Sequence, residues 1–217
     1  MKFSLDTKII EPENNNIKNA VILLHGYGGD GNDISTLTLN WKRFLPQTVF
    51  LCPNGHEKCV INPTGYQWFD LSKDDPSYII EESIKAEKKL NLYIKEVKSE
   101  YNLKNSNICV SGFSQGCMMS INLGLSNEES FNCIVGFSGK IINLDDISKR
   151  IKSKPKMLLI HGDSDEIVPP KRLLEAKDFL MRHKVDIETK MIKNCHHHIP
   201  IEASSIALNY LKKNLHI

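Results

Sequence analysis

Short, wholly apolar runs recur along this chain, separated by segments with a different rhythm. The first, Ala20-Val21-Ile22-Leu23-Leu24, is stopped by His25-Gly26. Thr48-Val49-Phe50-Leu51-Cys52, Ile108-Cys109-Val110, Cys133-Ile134-Val135-Gly136-Phe137 and Met157-Leu158-Leu159-Ile160 share its character. A brief apolar run of this kind predicts a strand buried on both faces. Residues 186–192 alternate instead, as an edge strand does. Helical periods lie between the runs. From Tyr78 to Tyr101 the apolar positions Ile80, Ile84, Leu90, Ile94, Val97 and Tyr101 fall mostly three or four apart, which predicts one stripe of a long amphipathic helix. Residues 170–183 open on Pro170, and residues 201–211 follow Pro200; proline is favoured where a helix starts. The stretch from Cys117 to Leu123 is apolar enough for a buried helix. Strands alternating with helices predict an α/β fold: a mostly parallel central sheet with helices on both faces. Residues 1–19 are polar and reach Asn14-Asn15-Asn16, which predicts a loop or turn. Residues 53–76 form a long segment without periodicity that carries Trp68-Phe69-Asp70. Such loops are often functional; the plainer expectation is that the two aromatics tuck back under the loop. With no internal repeat and no low-complexity linker, residues 1–217 are expected to form a single domain.

Composition narrows the class. The formal net charge of +2 over 217 residues leaves no nucleic-acid footprint. The densest basic segment, Lys85-Ala86-Glu87-Lys88-Lys89, is interleaved with glutamate and suits a solvated helix face. The six cysteines form no C-x-x-C pair, so buried free thiols in a reducing compartment are expected. The start, Met1-Lys2-Phe3-Ser4-Leu5-Asp6, lacks the apolar run of a signal peptide. No apolar stretch approaches the roughly 18 residues of a membrane span. The expected location is cytoplasmic.

One turn carries the chemistry. Gly112-Phe113-Ser114-Gln115-Gly116 reads G-x-S-x-G, between a predicted strand and a predicted buried helix. That is the context of a nucleophile elbow, in which a serine sits on a strained turn at a helix N-terminus. A serine hydroxyl needs a base, and the base needs an orienting acid. In this arrangement the acid and then the base follow the serine in the chain. Asp163 and Asp165 lie just past the predicted strand at 157–160. Asp163 directly follows Gly162 and suits the turn itself, so Asp165 is preferred. The base is expected after the last strand, where His196, His197 and His198 are consecutive and spacing does not choose among them. Cys195 with these three histidines has the donor types of a zinc site, but adjacent residues do not readily converge on one ion, so no metal is expected. His25 and His161, each before a glycine at a strand end, are expected to brace loops. An oxyanion hole needs two N–H donors. The N–H of Gln115 is one candidate, and the loop His25-Gly26-Tyr27-Gly28-Gly29-Asp30-Gly31 offers Tyr27 as the other. That loop also reads G-x-G-x-x-G, but the dinucleotide fingerprint needs an acidic residue ending the second strand, and Cys52-Pro53 stands there.

With these pieces assembled, the chain resembles the acyl-protein thioesterase/carboxylesterase group of α/β-hydrolases, also called the phospholipase/carboxylesterase family. The resemblance runs nearly end to end, through the glycine-rich loop at 25–31, Cys52-Pro53-Asn54, Trp68-Phe69-Asp70, Gly112-Phe113-Ser114-Gln115-Gly116 and His161-Gly162-Asp163-Ser164-Asp165. It implies an α/β-hydrolase fold and a Ser-His-Asp triad acting through an acyl-enzyme, with Asp165 as the acid. The family's base usually follows a glycine; His196 occupies that place here, and counting back from the last helix aligns the base with His197. The resemblance also implies an apolar acyl channel under the Trp68 loop, which Trp68, Phe69 and Leu71 are expected to line.

The expected activity is hydrolysis of carboxylic esters or thioesters of acyl chains: small esters, lysophospholipids or S-acylated proteins. No cofactor and no nucleic-acid partner are expected, and a homodimer is allowed for. The contrasting expectation is a catalytically silent scaffold that binds a small ligand or a protein partner. A fluorophosphonate probe separates the two, because only an activated Ser114 reacts with it.

Overall fold

The computed structural model describes residues 2–13 and 16–215, so the turn expected at Asn14-Asn15 lies outside the described residues. The strands are β1 (Thr7–Ile10), β2 (Asn19–Leu24), β3 (Thr48–Pro53), β4 (Glu57–Lys58), β5 (Tyr66–Gln67), β6 (Ile108–Phe113), β7 (Cys133–Phe137), β8 (Lys156–Gly162) and β9 (Ile187–Ile192). The helices are α1 (Gly31–Ser35), α2 (Thr38–Trp41), α3 (Pro76–Tyr101), α4 (Gln115–Ser126), α5 (Leu144–Ser148), α6 (Lys171–Arg182) and α7 (Ile201–Asn214). A seven-stranded sheet runs β1-β3-β2-β6-β7-β8-β9, and β4 pairs with β5 apart from it. Every neighbouring pair in the large sheet is parallel except β1 with β3.

The apolar runs become central strands because both of their faces are covered. Ala20, Ile22 and Leu24 of β2 join Val110, Ile134 and Leu159 in one apolar layer, beneath α3, α4 and α6. Val21 and Leu23 join Phe50, Cys109, Val135 and Ile160 in the other, beneath α1, α2 and α7. Successive strand residues point to opposite faces, so a continuous run feeds both layers. Strand β9 alternates between exposed and half-buried positions, as an edge strand should. All six thiols are free and buried.

The long helix α3 has an explicit start and stop. Asp75 accepts from the Ser77 and Tyr78 N–H groups, Pro76 takes the first turn, and Asn102 ends the helix in the left-handed region at φ 51°. Two segments expected as plain loops hold strands. Residues 7–10 of the polar N-terminal segment pair antiparallel with β3, Thr7 opposite Pro53, although only the edge of the sheet is available to them. The 53–76 loop contains the small β4–β5 hairpin, with Glu57 opposite Gln67.

Below the sheet, α3, α4 and α5 share a charged cluster. Glu87 is 5% exposed and accepts from Asn122 and Ser126, while Arg150 holds both of its oxygens, at 2.8 and 3.2 Å. The same guanidinium grips Asp146 at 2.7 Å. Removing the cation leaves a buried carboxylate without its counter-charge, which costs far more than the intact pair contributes. Arg150→Met is therefore expected to lower unfolding free energy by about 3 kcal/mol in urea melts, and Glu87→Leu/Arg150→Met to recover most of that loss. Equal destabilisation of both variants would contradict this account.

Candidate active site

Strand β6 stops at Phe113 and α4 starts at Gln115, leaving Ser114 alone between them at φ 53°, ψ −114°. This is a left-handed conformation that a non-glycine residue adopts only under constraint, at a cost of about 1–3 kcal/mol. The flanking glycines supply the constraint. A Cβ on Gly112 would lie 2.3 Å from the Gly116 carbonyl atoms, and one on Gly116 would lie 2.1 Å from the Leu24 carbonyl oxygen. The helix can begin hard against β2 and β6 only because both side chains are missing. Phe137 accepts the Ser114 N–H at 2.8 Å, and Ser114 accepts the Met118 N–H at 3.1 Å.

The loops after β8 and β9 converge on this serine. His197 Nε2 lies 2.9 Å from Ser114 Oγ, and its Nδ1 lies 2.8 Å from Asp165 Oδ2. Asp165 is 3% exposed; its Oδ1 accepts the Ile167 and Val168 N–H groups at 3.0 and 2.9 Å. Burial alone would raise the Asp165 pKa, but the bond to His197 and the two backbone donors outweigh it and hold the carboxyl below its ordinary 3.8. Gly162 lets the two loops cross, since a Cβ there would meet the Cys195 carbonyl oxygen at 2.1 Å. The His197 ring packs on Phe113 with centroids 4.8 Å apart. His196 and His198 are exposed, and Cys195 turns inward, its thiol 3.4 Å from the His196 carbonyl. Asp163 is exposed, and its carboxylate accepts from the Ser164 hydroxyl within the turn.

His25 and His161 hold the walls. The Gly55 N–H donates to His25 Nε2 at 2.8 Å, which places the ring proton on Nδ1, where it meets the Gly26 carbonyl at 2.7 Å. The Gly29 N–H also donates to that carbonyl, at 3.0 Å. In a trans peptide the Tyr27 N–H points away from the Gly26 oxygen, and a Cβ on Gly26 would lie 3.4 Å from Ser114 Cβ. The Gly26–Tyr27 peptide thus stands beside the serine with its donor turned from its own loop. The Gln115 N–H, in the first turn of α4, has no intrahelical acceptor. His161 Nε2 binds the Val168 carbonyl at 2.8 Å and lies 3.3 Å from Asp165 Oδ2.

The Gln115 side chain explains the loop at Trp68. Its Oε1 accepts the Trp68 N–H at 2.9 Å, and its Nε2 donates to the Phe69 carbonyl at 2.6 Å. The Trp68 indole donates to the His25 carbonyl at 2.9 Å and stacks on the His25 ring, centroids 5.0 Å apart. Trp68 therefore lies buried beneath the glycine-rich loop and lines neither the cavity at His197 nor the cavity at Met118. The first cavity, about 350 Å³, is bounded by Tyr27, Ile34, Leu37, Phe113, His197 and Ile199. The second, about 190 Å³, is bounded by Phe69, Leu71, Ile79, Met118, Lys140 and Ile142. Phe113, Met118, Lys140 and the Gln115 amide were not anticipated in these places. Phe113 and Gln115 flank the serine in the chain, but what their side chains touch is set by the fold, and Lys140 is placed near it only by the fold.

A parallel sheet in this order, with a serine elbow after a central strand, defines an α/β-hydrolase. Comparison with known proteins narrows that class. The family model described as phospholipase/carboxylesterase matches residues 5–215. The chain belongs to this family, and it is a serine hydrolase acting on ester bonds. It is 29% identical to acyl-protein thioesterase 1 of Saccharomyces cerevisiae over 214 residues, covering 91% of this chain and 93% of that one. The crystal structure of esterase PE8 is 32% identical with a TM-score of 0.93, covering 97% of this chain and 99% of that one. Acyl-protein thioesterase 2 of Zea mays, 21% identical with a TM-score of 0.73, covers 97% of this chain and 99% of that one and shares the fold. No helix among the described residues is long and apolar enough to cross a membrane.

Two measurements test the scaffold around the serine. Gln115→Ala strands the Trp68 N–H and Phe69 carbonyl in the interior, so about 2–4 kcal/mol of stability should be lost and the 53–76 segment should become sensitive to limited proteolysis. The second concerns pH. Burial holds His25 and His161 below their ordinary 6.5. The unfolded chain therefore takes up protons first as pH falls, and stability present above 6.5 is lost below it. Unfolding free energies from urea melts should fall between about pH 7.5 and about pH 5.5, by up to roughly 1.4 kcal/mol per pH unit for each ring. A flat profile would show that neither ring is held neutral.

Proposed function

We propose that Ser114, His197 and Asp165 are a catalytic triad hydrolysing acyl esters and thioesters through an acyl-enzyme. The observation that carries this reading is the unbroken chain of contacts Ser114 Oγ–His197 Nε2–His197 Nδ1–Asp165 Oδ2, at 2.9 and 2.8 Å. His197 takes the hydroxyl proton as Ser114 attacks the acyl carbonyl. Asp165 fixes the ring so that Nε2 faces the serine, and it stabilises the imidazolium. The N–H groups of Tyr27 and Gln115 receive the negative charge of the tetrahedral intermediate, each donor worth about 3 kcal/mol. His197 then protonates the leaving oxygen or sulfur. Water, deprotonated by the same ring, releases the carboxylic acid and restores Ser114.

The general acid must reach the leaving atom, so the 350 Å³ cavity lined by His197 takes the leaving group. The 190 Å³ cavity, on the Phe69 and Met118 side, takes the acyl chain. Phe69 and Leu71 serve there as acyl contacts, while Trp68 acts through the loop it holds. The relatives named acyl-protein thioesterases favour thioesters of S-acylated proteins among the substrates. The six free buried thiols suit a cytoplasmic setting.

Ser114→Ala is expected to lower kcat/KM for p-nitrophenyl butyrate by about a thousandfold or more while the fold is retained. In parallel a fluorophosphonate probe should label the wild type and not the variant. Full activity in Ser114→Ala would end the mechanism. A folded wild type that resists the probe would favour a silent binding scaffold.

A further inference from the structure

The cavity assigned to the acyl chain contains a charge that ester hydrolysis does not require. Lys140 follows Ser138-Gly139 at the end of β7, and a Cβ on Gly139 would sit 3.0 Å from the Ser114 carbonyl oxygen. Its side chain is half-buried and forms part of the cavity wall with Phe69, Leu71, Met118 and Ile142, and it also bounds an adjoining cavity lined by Arg172 and Glu175. Among the described residues no hydrogen bond or ion pair holds its ammonium group. Arg172, by contrast, is paired with Glu175 at 2.7 Å. We propose that this cavity selects acyl groups ending in an anion, half-esters and half-thioesters of dicarboxylic acids, with Lys140 as the counter-ion. The proposal rests on the reading that Ser114 is the nucleophile and that this cavity receives the acyl chain.

Three observations support it. A neutral chain filling this space would displace water from the ammonium and give nothing back, and an uncompensated buried charge is costly. A terminal carboxylate replaces that water with a charge-assisted hydrogen bond. The surroundings already penalise the cation. Burial lowers the Lys140 pKa, and Arg172 lowers it further, while Asp74 and Glu175 act in the opposite sense. Asp74 lines the same cavity but is exposed and makes no ion pair with Lys140. The third observation is Asn143. Its Oδ1 caps α5 by accepting the Asp146 N–H at 2.9 Å, no hydrogen bond among the described residues engages its Nδ2, and the residue lines the same cavity. Apolar walls together with an ammonium and an amide match methylenes that end in a carboxylate.

The test compares two aryl esters of equal chain length, the mono-p-nitrophenyl ester of adipic acid and p-nitrophenyl hexanoate. Wild type should favour the adipate half-ester in kcat/KM by about tenfold or more, the size of effect one charge-assisted hydrogen bond supplies. Lys140→Met should abolish or invert this ratio, and Lys140→Arg should keep much of it. A wild-type enzyme that prefers hexanoate overturns the proposal, whatever the variants do. So does a Lys140→Met enzyme that slows both esters equally. If Lys140→Met does not fold, the wild-type ratio and Lys140→Arg decide. Hydrolysis of p-nitrophenyl acetate, which carries no terminal carboxylate, reports separately on the nucleophile. Loss of that activity in Ser114→Ala together with no preference for adipate removes the selectivity alone. Retention of it in Ser114→Ala removes the triad reading and this proposal with it.

Discussion

The contact on which this structure depends is that between the backbone of Gly116 and the carbonyl of Leu24. At that point the first turn of α4 rests directly on β2, with 2.1 Å between the carbonyl oxygen and the place a Cβ would occupy. The approach does two things at once. It forces the chain through a left-handed turn at Ser114, so the side chain projects above the sheet rather than into either apolar layer. It also brings the end of β2, and hence the loop that follows, against the start of the helix. Ser114 and the N–H groups proposed to receive its charge are therefore set by one packing constraint.

From that contact outward, polar side chains do the work that apolar packing cannot do at the open end of a sheet. The loops after β2, β3, β8 and β9 have few apolar residues to bury, so they are tied by buried amides and imidazoles. Gln115 binds both backbone groups of the Trp68–Phe69 step, and Trp68 returns a bond to the His25 carbonyl. His25 bridges Gly26 and Gly55, and His161 binds the Val168 carbonyl beside Asp165. Each bond is modest alone, but removing one partner leaves a buried group unpaired, and this asymmetry makes the loops act as a unit. Neutral imidazoles suit these positions because each ring offers one donor and one acceptor.

Much of the architecture was legible in the chain because the central strands are buried on both faces and announce themselves as apolar runs. The strand β1 was not legible, since Thr7-Lys8-Ile9-Ile10 lies half-exposed at an edge and its pairing with β3 is a long-range choice. The β4–β5 hairpin is too short to carry a period. At the site, Ser114 stood out through its glycines and Asp165 through its place after β8. Residue type did not distinguish three adjacent histidines. What separates them in the structure is the turn at Asn194, at φ 51°, followed by the inward burial of Cys195, which leaves His197 facing the serine. The Gln115 clamp was invisible for a different reason: a glutamine early in a helix is ordinary, and its partners lie more than forty residues away.

The division of the sheet into two apolar layers bears on how a substrate would be divided. Ile34, Leu37, Phe113 and Ile199 belong to or pack on the α1–α7 layer and bound the cavity that His197 faces. Phe69, Met118, Ile79 and Ile142 belong to or pack on the α3–α4 layer and bound the other. A carbonyl held at Ser114 sits at the end of the sheet, where the two layers open to either side. If His197 is the base, as proposed, the leaving atom lies toward its side and the acyl carbon chain is directed to the other. Selection for the two halves of an ester can then change independently. Substitutions on α1 or in the loop after β9 act on one half, and substitutions after β7 or in the 69–79 segment act on the other. Lys140 stands in the second group, on an element that supplies no member of the proposed triad. Its charge can therefore alter which acyl group is accepted while the Ser114–His197–Asp165 geometry stays as it is.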